Sequence, residues 1–191
     1  PISKIGMKNS DTGQVFLTDY FARDEDLLST TKSSKDIMFS GLDNERLALA
    51  AGPIGIIEAC FDVLLPYLFE RKQFNTPLIQ HPPIKDKFSE LYSQYKTLLY
   101  SYYHILQYSK TDVSNIQSSA ASILHSSTKT AMSIVLDCIQ LLGANGYANN
   151  TRIACLLNDI KLYEIGGGTT EMRRYIIAKN SIHNWNHWGN L

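Results

Sequence analysis

Gln140-Leu-Leu-Gly-Ala-Asn-Gly-Tyr147 ends one predicted helix, and Leu162-Tyr-Glu-Ile-Gly-Gly-Gly-Thr-Thr-Glu-Met-Arg-Arg174 joins two further ones. In the first stretch, Gly143 and the pair Asn145-Gly146 suit the left-handed backbone conformation that stops a helix. In the second, three consecutive glycines from Gly166 to Gly168 allow the backbone to approach another group closely. Together the two stretches predict helices that are joined by glycine-rich turns.

The triple-glycine turn leads directly into a helix N-terminus, because Thr169, Thr170 and Glu171 suit the first turn of a helix. Free N–H groups at such a terminus can bind an anion or the polar edge of a ligand. Most such turns are helix caps only, so the local sequence leaves both interpretations open. No strand precedes the glycines and no lysine follows them, which excludes the dinucleotide-binding fingerprint and the P-loop.

Composition narrows the class of protein further. The 191 residues carry no net charge and no long basic run, so nucleic acid is not an expected partner. No apolar run reaches the ~18 residues that a membrane span needs, so no span is predicted. Three separated cysteines, Cys60, Cys138 and Cys155, predict buried free thiols in a reducing compartment. His183 and His187 alone show ligand spacing, and we interpret them as surface residues, so no metal site is predicted.

Apolar residues recur at helical spacing from about Lys35 onward, beginning with one helix from Asp36 to Phe69 that Pro53 should bend or interrupt. Two long seams follow, and shorter helices are predicted at about 150–163 and 170–186. The first seam comprises Ile84, Phe88, Leu91, Tyr95, Leu98, Tyr102 and Ile105, and the second comprises Val113, Ile116, Ala120, Ile123, Ser127, Ala131, Ile134, Cys138 and Leu141. This pattern predicts an all-α, four-helix-type bundle.

The polar first 34 residues contain one credible strand, Gln14 to Tyr20. A single strand cannot satisfy its own edges, so its partners are expected outside this chain. The prediction is a short β remnant that precedes the bundle, in a chain that is part of something longer.

Two more blocks, Ser40-Gly-Leu-Asp-Asn-Glu-Arg46 and Glu70-Arg-Lys-Gln-Phe74, accompany the two stretches quoted above. The four blocks, taken in their order along the chain, resemble the C-terminal part of acyl-CoA dehydrogenases, and most of all the isovaleryl-CoA dehydrogenase branch. The resemblance spans roughly Lys4 to His183, which is about half of such an enzyme. It implies that residues 1–34 are the incomplete tail of a middle β-domain and that residues 35–191 are the C-terminal α-helical domain.

The resemblance implies a catalytic base. Removing a proton next to a thioester needs a carboxylate in a dry pocket. Many relatives carry this glutamate where the present chain has Gly167, but isovaleryl and long-chain relatives carry it where Glu45 stands. Without the resemblance, Glu45 would be interpreted as a partly exposed glutamate.

Residues around the base would bind the substrate. Asp43 and Arg46 are three residues apart, and their plain interpretation is a weak surface ion pair. By resemblance both would position acyl-CoA, with Gly167 and Gly168 beside it. The Gly168 N–H would polarise the thioester carbonyl, which acidifies the α-proton.

FAD is the implied cofactor. Arg71 would contact an FAD phosphate of a neighbouring subunit. The further implied FAD-binding residues are His81, Gln140, Leu141, Leu142, Gly143, Ala144, Thr169, Thr170 and Glu171. Electrons would pass to an electron-transfer flavoprotein, and the protein would be a homo-oligomer, a dimer or tetramer, of the mitochondrial matrix, or of the cytoplasm in a bacterium.

Four positions depart from the family pattern. Pro82 stands where a glutamine usually contacts FAD, Ala144 replaces a glycine, and Asn158 replaces an arginine. Asn75 replaces the usual glycine after Phe74, and Asn tolerates a left-handed turn at this position. The departures leave open an alternative, a non-catalytic, flavin-poor oligomerisation module of the same fold. In either case we expect this chain alone to be inactive, because it lacks the domains that complete the pocket.

Overall fold

The computed structural model describes residues 1–109, 116–149 and 151–188. Its described helices are α1 (Ser34–Leu49), α2 (Ala51–Glu70), α3 (Pro82–Tyr108), α4 (Ile116–Leu142), α5 (Ala144–Tyr147), α6 (Arg152–Tyr163) and α7 (Thr170–Trp188). The strands β1 (Lys72–Gln73) and β2 (Thr76–Pro77) form one antiparallel hairpin. The prediction of an all-α bundle is confirmed.

Helix α4 is the centre of the bundle, because α1, α2, α3, α6 and α7 all pack against it. Its buried face combines small residues, such as Ala120 and Ala131, with larger ones such as Leu124 and Ile134. Small side chains let neighbouring helices approach closely, and the larger ones fill the space between them. The buried hydroxyl of Thr128 has a hydrogen-bond partner, because it donates to the Leu124 carbonyl at 2.7 Å.

The two predicted seams pack into the same core. Leu91, Tyr95 and Leu98 of α3 are buried, and the other residues of that seam are partly buried against the core. The α4 seam is likewise buried or partly buried from Ile116 to Leu141, while Val113 lies outside the described residues. Period-3.5 spacing therefore identified the core faces of both helices correctly.

The first predicted helix is divided in two at Ala50, as its proline suggested. Pro53 lies in the first turn of α2 and has no N–H to donate to the Leu49 carbonyl. Ala50 keeps helical dihedral angles (φ −62°, ψ −22°), so the chain continues in nearly the same direction. The interruption separates the helix that carries Glu45 from the more buried helix that follows it.

The segment Ser34–Glu70 is long and apolar enough to cross a membrane, judged by length and composition alone. The prediction that no apolar run reaches the length of a membrane span was therefore wrong by these criteria. Its apolar side chains, including Ile54, Ile57, Leu64 and Leu68, are buried in the bundle. A helix that is covered on several sides within a protein core has the same composition, so this segment is accounted for as a core helix.

The hairpin after α2 depends on two residues in the left-handed region, Phe74 (φ +51°) and Asn75 (φ +61°). Consecutive positive φ angles are typical of a two-residue type I′ turn. Asn tolerates this conformation, as expected from its place in the sequence, whereas Phe74 adopts it with its ring 91% exposed. Pro82 is the first residue of α3, where its missing N–H needs no partner.

Three local predictions were wrong. No strand forms between Gln14 and Tyr20 in this chain; that segment is exposed, and a strand is not stable without a neighbour. Gly143 does have a positive φ of 59°, but Asn145 and Gly146 belong to the short helix α5. Cys155 is exposed, whereas Cys60 and Cys138 are buried and, like Cys155, free.

Gly146 is needed for close packing. A Cβ at this position would lie 2.5 Å from the Ile139 carbonyl oxygen, which is backbone and cannot rotate away. We expect Gly146→Ala to lower the free energy of unfolding by about 2 kcal/mol. The control is Gly55→Ala on α2, where an added Cβ meets nothing within 4 Å; it should raise the free energy of unfolding by about 0.5–1 kcal/mol. Equal effects of the two variants in denaturant unfolding would contradict this account.

Candidate functional site

The triple-glycine turn connects α6 to α7, and two of its glycines would be strained by any side chain. Gly167 and Gly168 have φ angles of +68° and +97°, in the region that L side chains rarely adopt. A Cβ on Gly167 would lie 3.1 Å from Leu49 Cδ1 and 3.4 Å from Leu124 Cδ2. A side chain at Gly167 would therefore be both strained and crowded in this conformation.

Arg46 of α1 binds one side of the turn. Its Nε donates to the Gly167 carbonyl at 2.7 Å, and its Nη1 donates to Asp43 Oδ1 at 2.6 Å. Gln117 of α4 donates to the other Asp43 oxygen at 3.4 Å. The Arg46 residue is only 5% exposed. The plain interpretation of Asp43 and Arg46 as a surface ion pair was therefore wrong, because the pair is buried beside the turn.

Arg173 of α7 binds the other side of the turn and is 0% exposed. Its guanidinium donates to the carbonyl oxygens of Gly168 (2.8 Å), Tyr163 and Gly166 (3.5 Å) and to Thr128 Oγ1 (3.5 Å). Burial, and then the positive charge of Arg46, lower the pKa of Arg173 from its usual value. Within the described residues its partners are neutral oxygens, so the buried charge is stabilised by dipoles.

Sequence reasoning missed Arg173. Two signals could have identified it. A cation in the first turns of a helix is disfavoured by the helix dipole, so it needs a local reason. A helical side chain also leans toward the N-terminus, which points Arg173, four residues after Thr169, back over the glycine turn.

The turn presents three successive N–H groups, those of Gly167, Gly168 and Thr169, that make no hydrogen bond within the described residues. Its other end is closed, because Thr170 N donates to the Glu164 carbonyl at 3.0 Å. Free donors at a helix N-terminus beside buried Arg46 form an electropositive site for an oxygen ligand.

The first turn of α7 has the expected cap. Thr169 Oγ1 accepts from Met172 N at 3.4 Å. The pKa of Glu171 is lowered, first by its own backbone N–H and then by the Thr169 hydroxyl. Thr169 and Glu171 are exposed to solvent, and Thr170 is half-buried.

Glu45 is exposed, and its side chain makes no hydrogen bond within the described part of the chain. It lies on α1 next to Arg46 and one turn before Leu49, the residue whose methyl group faces Gly167. Glu45 precedes Leu49 by about one helical turn, a rise of about 5.4 Å along α1. The Glu45 backbone is therefore near the part of α1 that packs against the glycine turn. Hydrogen bonds join Asp43, Arg46 and Gly167, and Glu45 lies beside Arg46 on α1, whereas the roles predicted for these residues stay predictions.

Arg71 and His81 lie at the hairpin, away from that region in the chain. Arg71 is exposed at the C-terminal end of α2, and its backbone N–H donates to the Tyr67 carbonyl at 2.9 Å. His81 is half-buried, with Nε2 3.3 Å from the Gln73 carbonyl oxygen and its ring 6.4 Å from that of Phe74. His81 thus supports the hairpin that follows Arg71.

The residues from Gln140 to Ala144 form the end of α4. Gln140, Gly143 and Ala144 are exposed and Leu141 is half-buried. Leu142 is 4% exposed and packs in the core, so only its backbone could contact a ligand. None of these side chains hydrogen-bonds to the glycine turn within the described residues, and among those residues no cluster suits a metal ion.

The same helical bundle occurs in solved structures of other proteins. Butyryl-CoA dehydrogenase from Megasphaera elsdenii has the same fold over 95% of this chain and 47% of its own, with a TM-score of 0.89 at 24% identity. Mitochondrial isovaleryl-CoA dehydrogenases are similar in sequence: that of Solanum tuberosum is 37% identical over 93% of this chain, and that of Bos taurus 33% identical over the same share.

The family model for the acyl-CoA dehydrogenase C-terminal domain matches residues 36–182. This chain belongs to the acyl-CoA dehydrogenase family. It spans 43% of the length of the Solanum tuberosum relative and 42% of the Bos taurus one.

The two arginines of α7 provide a test of the buried guanidinium. Arg173→Lys keeps the charge, but one ammonium group cannot reach all the oxygens that Arg173 binds, so buried acceptors lose their partners. We expect a loss of about 3 kcal/mol in the free energy of unfolding. The same change at its exposed neighbour, Arg174→Lys, should cost no more than about 0.5 kcal/mol. Denaturant unfolding of both variants tests this, and similar losses would contradict it.

His125 of α4 provides a pH-dependent test of the same packing. Burial, followed by the charges of Arg174, Arg173 and Lys129, lowers the pKa of His125 from about 6.5. The unfolded chain then binds the proton more tightly, so the free energy of unfolding falls as the pH drops below about 6.5 and until it reaches the folded-state pKa. We expect His125→Gln to weaken this dependence in urea unfolding between about pH 7.5 and about pH 5.5. An unchanged pH dependence would show that His125 does not titrate this way.

Proposed function

We propose that the protein to which this chain belongs is a FAD-dependent acyl-CoA dehydrogenase that oxidises short, branched acyl-CoA to the enoyl-CoA. Glu45 takes the α-proton, and the Gly168 N–H donates a hydrogen bond to the thioester carbonyl. The observation that carries this proposal is the free N–H of Gly168, which lies beside the face of α1 that bears Glu45.

The roles follow from the chemistry of the two groups. A thioester carbonyl that accepts a hydrogen bond stabilises the negative charge that develops when the α-proton leaves. The bond from Arg46 Nε to the Gly167 carbonyl holds the peptide that carries the Gly168 N–H, and the bond from Arg173 to the Gly168 carbonyl fixes the next peptide, so the donor is already oriented. Gly167 carries no carboxylate, so we assign the base to another element. On α1 the carboxylate of Asp43 is paired with Arg46, which leaves Glu45 as the candidate.

Glu45 is exposed in this chain, and a base for this step needs a drier environment than water. The relatives are more than twice as long as this chain, and we infer that their remaining domains cover the α1 face and complete the acyl pocket. Asp43 and Arg46 would act by positioning. They fix the Gly167 carbonyl, and through it the peptide that binds the thioester.

The residues that are present suit FAD. Arg71 offers an exposed guanidinium for a phosphate, and the exposed Gln140 side chain offers amide donors. An added Cβ at Gly143 would meet nothing within 4 Å, so a ligand can approach the backbone there. When bound, FAD would supply the hydride acceptor for the β-carbon. We also propose that further residues contact FAD, namely His81, Leu141, Leu142, Ala144, Thr169, Thr170 and Glu171.

The partners follow from the relatives and remain part of the proposal. Similar proteins are named isovaleryl-CoA dehydrogenase, mitochondrial, and this supports a short branched acyl-CoA and the mitochondrial matrix. We infer a homo-oligomer, a dimer or tetramer, in which Arg71 serves the flavin of a neighbouring subunit, and transfer of electrons to an electron-transfer flavoprotein.

A second candidate is an oligomerisation module of the same fold that binds little flavin. It is favoured by Pro82, which stands at the first position of α3 and offers no side-chain hydrogen bond. Flavin absorbance of the purified complete protein separates the candidates, since a colourless oligomer after incubation with FAD would support the module.

Glu45→Gln in the complete protein tests the base. The amide cannot accept a proton, so kcat for isovaleryl-CoA should fall by at least about 10²-fold, while flavin absorbance stays at the wild-type level. The control is Glu90→Gln on the exposed face of α3, which should leave kcat unchanged. Retention of turnover in Glu45→Gln would refute the assignment of the base.

A further inference from the structure

Residues 2–12 form a closed loop, which we call the hook. Ile2 N donates to the Thr12 carbonyl at 2.8 Å, and Ser10 N donates to the Met7 carbonyl at 3.0 Å. The Lys4 ammonium donates to the Ser10 carbonyl and, at 2.8 Å, to Thr12 Oγ1. These bonds close the hook without help from any strand, so it can act as one unit.

The hook contacts α6 at two adjacent points. Met7 N donates to Asp159 Oδ1 at 2.5 Å. Gly6 is buried against the same turn of α6, where a Cβ would lie 2.3 Å from the Asn158 carbonyl oxygen and 2.8 Å from Asp159 N. An open cleft of about 820 Å³ borders this contact. Because the cleft is open, the contact between the hook and α6 relies on the Met7–Asp159 hydrogen bond and on the packing of Gly6 against the α6 backbone.

The contacted turn of α6 leads directly to the functional site. Tyr163 follows Asp159 by one helical turn, and the Asp159 charge is near enough to help burial raise the pKa of Tyr163. The Tyr163 carbonyl accepts from Arg173, and the next carbonyl, that of Glu164, accepts from Thr170 N at 3.0 Å. The last carbonyls of α6 thus hold both Arg173 and the start of α7.

We propose that the hook fixes α6 through Gly6 and Asp159 and thereby positions the glycine turn, which makes Asp159 a positioning residue for the site. The carboxylate itself contacts neither the turn nor a substrate. It acts by fixing the helix whose C-terminal carbonyls orient Arg173 and the Gly168 peptide. The consequence for catalysis rests on the proposed function, whereas the consequence for the mobility of the turn does not.

Two changes break the contact from opposite sides. Asp159→Ala removes the acceptor of the Met7 N–H, and Gly6→Ala places a methyl group against the α6 backbone. Asp159→Asn is the conservative variant, because its amide oxygen can still accept that hydrogen bond. The matched control is Asp137→Ala on α4, a carboxylate that pairs with Lys87 at 3.2 Å.

The measurement is amide hydrogen exchange of the complete protein by mass spectrometry, followed in peptides that cover residues 162–172. Loss of one buried hydrogen bond should accelerate exchange there about 5-fold in Asp159→Ala and in Gly6→Ala. Asp159→Asn and Asp137→Ala should exchange like wild type at the turn. The double variant should not exceed the larger single effect, because both changes remove the same contact.

Unchanged exchange at the turn in Asp159→Ala and Gly6→Ala would overturn the proposal. So would equal acceleration in peptides of α2 and α4, which would indicate general destabilisation. In the same variants kcat for isovaleryl-CoA should fall severalfold with KM nearly constant. If the complete protein has no dehydrogenase activity, the proposed function fails, and the exchange result still decides the role of the hook.

Discussion

The structure depends on the binding of one glycine turn by two buried guanidinium groups. Arg46 reaches it from α1 and Arg173 from α7, and both donate to backbone carbonyls of residues 166–168. Two buried cations near each other are unfavourable unless each is well solvated by the protein. Asp43 offsets the charge of Arg46, and four neutral oxygens stabilise Arg173. Because the carbonyls point at the arginines, the N–H groups of the turn are left free.

The same constraint explains the central role of α4. It provides Thr128 to Arg173, Gln117 to Asp43, and Leu124 to the space beside Gly167. One helix therefore contacts both arginine clusters and the turn between them. A shift of α4 would disturb both at once, which accounts for a face that is buried over most of its length and has small residues where other helices cross it.

Much of this arrangement could be predicted from particular residues. Heptad spacing gave the buried faces of α3 and α4, Pro53 gave the division between α1 and α2, and Asn75 gave a left-handed turn. The region around Glu45, Arg46, Gly167 and Gly168 was also predicted, through family resemblance. The prediction of a strand from Gln14 to Tyr20 was wrong. Alternating apolar and polar residues indicate that a segment can pair as a strand, but pairing needs a neighbouring strand that this chain does not supply.

By itself, the sequence determined the long helices, the apolar faces of α3 and α4 and the left-handed conformation of Gly143, because these properties depend on neighbours within a few residues. Only the tertiary structure decided that Arg46 and Arg173 are buried on opposite sides of one turn. It also decided that Gly6 meets α6 across more than 150 residues of chain. Such contacts join positions far apart in sequence, and neither spacing nor composition records which polar groups will meet once the helices have packed.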